Sequence, residues 1–190
     1  MNDNDNEDWI LSFYRFSEIT GALFFGRLAK VLPAGEIQRD MTKHFADESL
    51  HAWYWTKTLS EMGKKPVHIG DAYQDQYLES VGIPTNIMEI LAITNVFECR
   101  VIAQYALHNR VPDLNPVITS AFDTIMADEK WHIKWIGDAL KSLEPKFGKD
   151  HIDATLDRYR KADREIYGKI IVEHQERIEH ILDVKKKKSV

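Results

Sequence analysis

The feature that most constrains this chain is a doubled pattern of acids and histidines. Glu18 is followed 30 residues later by Glu48-Ser-Leu-His51, and Glu98 is followed 31 residues later by Glu129-Lys-Trp-His132. Side chains three residues apart share one face of a helix, so each E-x-x-H can present both groups to a single point. With 14 Glu and 8 His in 190 residues, chance alone supplies roughly 0.6 such pairs. Here there are two, each on an apolar stripe and each preceded by an inward Glu at nearly the same spacing. Four carboxylates and two imidazoles at these positions are the donor set for two metal ions inside a four-helix bundle.

The rest of the sequence is helical in pattern. No stretch alternates with period two, and Gly and Pro punctuate few places. A first helix over about residues 8–32 carries Leu11, Tyr14, Glu18, Gly21, Phe25 and Leu28 on one stripe. After Pro33-Ala34-Gly35 a second helix runs to about residue 62, with Met41, His44, Glu48, His51, Trp55 and Leu59 aligned. The longest break, residues 63–84, holds Pro66, Gly70, Gly82 and Pro84 around a short helical piece at 71–79. A third helix spans about 85–109 and a fourth about 116–143, the latter with Asn115 as N-cap and Pro116 at its first position. A long charged helix follows over about 150–184. The expected organisation is a bundle over residues 1–143, a C-terminal helix packed on it over 144–184, and a basic tail at 185–190.

Distances along the helices place the acids at one height. Glu18 precedes Ala34 by 16 residues and Glu48 follows it by 14, so each lies roughly 21–24 Å from the same turn. Glu98 precedes Pro112 by 14 residues and Glu129 follows it by 17, so the second hairpin repeats the arrangement. The two hairpins look like an internal duplication, and the 22-residue break is long enough to carry the chain back along the bundle. The expected fold is all-α, with two antiparallel hairpins joined by one long crossover.

Composition narrows the function. A net charge of −5 gives no case for nucleic-acid binding, and no apolar run approaches the ~20 residues of a membrane span. The acidic, polar residues 1–8 do not resemble a secretory signal. Cys99 is alone, which excludes an internal disulfide and any cysteine-built zinc or rubredoxin-type iron site. A cytoplasmic location is the expectation.

Glu18, Glu48, His51, Glu98, Glu129 and His132 are the candidate metal ligands. Four carboxylates balance two divalent ions, whereas without metal some would have to protonate. Mixed oxygen and nitrogen donors suit Fe or Mn better than Zn. Both motifs read Ala-Asp-Glu-x-x-His, which makes Asp47 and Asp128 candidate partners for the far ring nitrogens, crossed as Asp47 to His132 and Asp128 to His51. His44 sits one turn before Glu48, as a seventh ligand, a proton relay or a hydrogen-bonded inner histidine. Tyr14 and Tyr105 either bond a ligand carboxylate, carry an oxidising equivalent, or are core aromatics with satisfied hydroxyls. Trp53, Trp55, Trp131 and Trp135 cluster around the motifs, where they either wall a substrate pocket, form an electron path or pack the bundle, and Cys99 reads as a small core residue.

Over about residues 8–143 the chain resembles the ferritin-like di-iron carboxylate superfamily. The segment Asp128-Glu129-Lys130-Trp131-His132-Ile133-Lys134-Trp135 is especially similar to bacterioferritins and rubrerythrin-like proteins. The resemblance implies a ferritin-like four-helix bundle, the six ligands above, and two Fe ions (or a Mn/Fe pair) that reduce O2 or H2O2, in some relatives with oxidation of a small organic substrate. A Cys-x-x-Cys pair is missing, so an external electron donor is implied. Ser49 stands where bacterioferritins place a haem-binding Met, so no haem is expected. Asn95 offers no second acid beside Glu98.

Three functions follow as alternatives. The first is a di-metal oxidase, oxygenase or peroxidase. The second is iron oxidation with storage or detoxification in a large cage. The third is an interaction bundle with no catalytic metal. The last helix, with its many charges and Ile166, Ile170, Ile178 and Ile181, either flanks the bundle or contributes to a homodimer contact.

Overall fold

The structure, a computed structural model, describes residues 3–70, 73–170 and 172–188. Among these the chain forms eight helices and no strand. They are α1 (Asp3–Val31), α2 (Glu36–Glu61), α3 (Tyr73–Val81), α4 (Ile87–His108), α5 (Pro116–Ser142), α6 (Glu144–Phe147), α7 (Lys149–Ile170) and α8 (Val172–Lys188).

Local chemistry sets the ends. Helix α2 stops in a Schellman motif. Gly63 takes φ 69°, the left-handed region that costs glycine little. The Gly63 N–H donates to Ser60 and that of Lys64 to Leu59, closing two terminal carbonyls. At the start of α4, Asn86 Oδ1 accepts from the Glu89 N–H, while the Glu89 carboxylate accepts from the Thr85 N–H and hydroxyl. At the start of α5, Asn115 Oδ1 accepts from the Val117 N–H at 3.0 Å, with Pro116 at the first position. Pro145 does not end the helical path. It opens the single turn of α6 before Gly148 turns the chain into α7.

Helix α1 packs on α2, α4 on α5, and α2 on α5. Two apolar clusters show how the four helices run. One holds Phe25, Met41, Leu91, Phe97, Trp135 and Ile136. The other holds Leu11, Tyr14, Trp55, Leu59, Tyr105 and Phe122. Along α1 and α5 the chain passes from the second cluster to the first; along α2 and α4 it passes from the first to the second. Neighbours are therefore antiparallel, and the connection 62–86 runs the length of the molecule, placing Ile69 in one cluster and Tyr77 in the other. Each helix exchanges apolar for ionisable residues midway, at Glu18, Glu48, Glu98 and Glu129.

The C-terminal region is helical over residues 149–170 and 172–188, as the charged pattern predicts, and the two stretches meet different partners. Helix α7 packs on α3 and α4, burying Ile152, Tyr159 and Asp163, and α8 packs on α1 through Ile178 and Ile181. Helical structure continues to Lys188, through the expected basic tail up to that residue; residues 189 and 190 lie outside the described residues. By length and composition α4 could cross a bilayer, with mean hydropathy 1.3 over an 18-residue window. It is also mostly buried against α5 and α7 and carries Glu98, as a core helix does.

Candidate metal centre

At mid-height the helices bring two groups of donors together. Glu18, Glu48, His51 and Glu129 form one; His44, Glu48, Glu98 and His132 form the other. Within each group one donor atom per residue lies within 4.8 Å of every other, and all seven residues are buried. Glu48 belongs to both. An octahedral ion with bonds of about 2.1 Å sets adjacent donors about 3.0 Å apart and opposite ones about 4.2 Å apart. His51 Nδ1 lies 3.2 Å from Glu129 Oε1 and 3.7 Å from Glu18 Oε2. His132 Nδ1 lies 3.4 Å from Glu129, 3.6 Å from Glu48 and 3.7 Å from Glu98. These spacings bring donors to within small side-chain movements of a coordination sphere.

The donor chemistry fits metal on a second count. His51 Nδ1, Glu129 Oε1 and both ring nitrogens of His44 are buried without a hydrogen bond. Buried polar atoms left unpaired are costly, and a shared cation would satisfy them together.

The histidines are held from behind. His132 Nε2 is 3.2 Å from Asp47 Oδ2, and His51 Nε2 is 3.3 Å from Asp128 Oδ2, each across the α2–α5 contact. An N–H on Nε2 donating to the aspartate makes Nδ1, the atom facing the glutamates, the nitrogen that can offer a lone pair once its own proton is removed. Lys43 Nζ bonds Asp47 at 2.5 Å and lies over the Trp131 ring. Tyr105 donates its hydroxyl proton to Glu18 Oε1, and Trp55 Nε1 donates to the Tyr105 oxygen at 3.0 Å.

The ionisation of the cluster follows from crowding. Burial, then the charges of Glu18, Glu98 and Glu129, push the Glu48 carboxyl well above its usual range. Burial raises Glu129 to about 7, against the pull of His132 and His51. Burial alone would lower His51 and His132. The carboxylates around them override it and raise them to about 10 and about 11. Glu98 goes the other way: burial would raise it, but His44 and His132 hold it low. His44 is kept below its ordinary value, burial outweighing Glu98.

All six candidate ligands lie in the two groups, with Asp47 and Asp128 against the imidazoles. His44 joins them, its Nε2 3.2 Å from both Glu48 Oε1 and Glu98 Oε1 and its ring stacked 3.7 Å from that of His132. Tyr105 reaches the cluster; Tyr14 does not. The Tyr14 ring stands edge-on to Tyr105 at 4.7 Å, and its hydroxyl is 3.0 Å from His174 Nε2. Two expectations change. Cys99 is exposed, not a core residue, and Trp53 is 56% exposed, on the outer side of α2. Gly21 acquires a role that its place on the stripe did not disclose. A Cβ there would sit 2.6 Å from Glu48 Oε2, so any larger residue would require that carboxylate to shift.

Comparison with family models, with curated proteins and with solved structures gives no significant match, so the reading of this centre rests on its own residues.

Proposed function

We propose that this protein is a non-haem oxidoreductase that uses a pair of Fe ions, or a Mn/Fe pair, to activate O2 or peroxide within a ferritin-like four-helix arrangement. The observation that carries this reading is the pair of buried donor groups sharing Glu48. When bound, such a pair supplies redox chemistry and Lewis acidity that the side chains lack. The residues of the chain do the rest. Glu18, Glu48, His51 and Glu129 would hold one ion, and Glu48, Glu98, His132 and His44 the other. Asp47 and Asp128 fix the imidazole tautomers, and Tyr105 orients Glu18. The apolar clusters on either side exclude water. Burial and the neighbouring carboxylates favour the protonated form of Glu48, a preference that a bound cation would oppose.

Metal analysis after anaerobic loading, followed by stopped-flow reoxidation, tests this. Two ions per chain and rapid O2 consumption are expected, with both reduced in Glu98→Ala. Fewer than one ion per chain, or loaded protein inert to O2 and H2O2, would overturn it. A very large hollow assembly on size-exclusion chromatography would move the reading to iron storage.

A further inference from the structure

We infer that the cavity between α1 and α4 binds a small organic monoanion, its apolar end toward the carboxylate cluster and its carboxylate head on Arg27. This names the substrate class of the proposed centre and so rests on that reading.

The cavity measures about 300 Å³ and has Glu18, Glu48 and Glu98 at its floor. It exists because α1 and α4, unlike α1–α2 or α4–α5, are not a closely packed pair among the described residues. The missing side chain at Gly21 leaves Glu48 uncovered from this side. Phe24, Phe97 and Val101 line the wall, and Leu23 stands at the surface 59% exposed.

Size decides against O2 or peroxide as the only guest. Each occupies the space of about one or two waters, and this cavity has room for roughly ten. It sits at the small end of organic ligand sites.

Charge decides the orientation. The floor carries carboxylates that two divalent ions would only neutralise, so it offers an anionic head no net attraction. Arg27 is the cation on the cavity's lining. Its guanidinium makes no ion pair or hydrogen bond among the described residues, so its donors are available. A lone guanidinium matches one carboxylate in a two-bond fork, whereas a phosphate monoester would leave a charge unanswered. Arg27 lies six residues beyond Gly21, about 9 Å along the helix, which sets the span from head to floor.

Octanoate and 1-octanol, equal in chain length and different in head group, are the probes. Isothermal titration of the full-length, metal-loaded protein should show one octanoate per chain, bound about tenfold more tightly than 1-octanol. Arg27→Gln should erase that preference, leaving 1-octanol binding and metal content unchanged. Val101→Phe should weaken both ligands. Octanoate binding no better than 1-octanol, or unaltered in Arg27→Gln, overturns the inference, the latter by placing the head at the metals. Unaltered binding of both ligands in Val101→Phe also overturns it. If the wild type takes up no metal, the dimetal reading fails. The same titrations on the metal-free chain then test the cavity by itself.

Discussion

His51 and His132 each give one nitrogen to an aspartate and turn the other toward glutamates, so in the proposed centre their use as ligands would depend on residues that touch no metal. Asp47→Ala and Asp128→Ala should each lower metal affinity by about 10–100-fold, measured by chelator competition. The larger loss is expected for Asp47, whose side chain is 12% exposed against 38% for Asp128. Unchanged affinity in both variants would reduce the aspartates to bystanders. His174 offers a test away from the cluster. Burial against α1 drives its pKa from the ordinary 6.5 down to about 4. The unfolded chain therefore takes up a proton between pH 6.5 and 4 that the folded chain refuses. Stability is complete above pH 6.5 and falls through that window, by up to about 3 kcal/mol. Denaturation of wild type and His174→Gln at pH 7 and pH 4.5 should show a smaller acid loss in the variant; equal losses would refute it.

At the level of elements, capping and partner choice decide what forms. Asn115 supplies the side-chain acceptor at the start of α5, the helix that carries Glu129 and His132. Asn115→Ala should lower stability by about 1 kcal/mol in thermal denaturation while metal stoichiometry stays at the wild-type value. A loss of metal binding there would mean that the first turn of α5 positions the distant donors. Helices α7 and α8 show what pattern alone does not convey. Their charged sequence reads as one rod with a solvated face, but residues 149–170 pack on α4 and α3 while residues 172–188 pack on α1, so the scattered apolar residues serve different partners. The short α3 follows the same logic: Tyr77 donates to the Tyr159 carbonyl at 2.5 Å, tying the crossover to α7.

For the whole molecule, the central question is the cost of a buried ionic layer between two apolar clusters. Metal-free, it is held together by protons, with His51 and His132 still protonated at pH 7. Divalent cations must displace those protons. Calorimetry in buffers of different ionisation enthalpy should therefore show proton release, at least one from each imidazole, and uptake should weaken on acidification. Metal binding without proton release would contradict this charge arrangement. Binding to the folded chain also stabilises it, by about 2.7 kcal/mol per site at metal a hundredfold above the dissociation constant. The melting temperature should rise with Fe(II) or Mn(II) under anaerobic conditions and return on chelation; an unchanged value would point to an interaction bundle.

The sequence by itself determined which residues face inward and at what height. Both follow from local rules: the 3.6-residue period sets the stripe, and hairpin arm lengths set the level of Glu18, Glu48, Glu98 and Glu129. The Asn86 and Asn115 starts and the break at 63–84 have local origins as well. Only the tertiary structure decided that Glu48 is shared by both donor groups, that His44 stacks on His132, that Tyr105 rather than Tyr14 reaches Glu18, and that Cys99 faces water. Those depend on the angle and separation at which distant helices meet. The gap between α1 and α4 belongs to the same class, since a cavity is a property of two surfaces and neither sequence segment contains it alone.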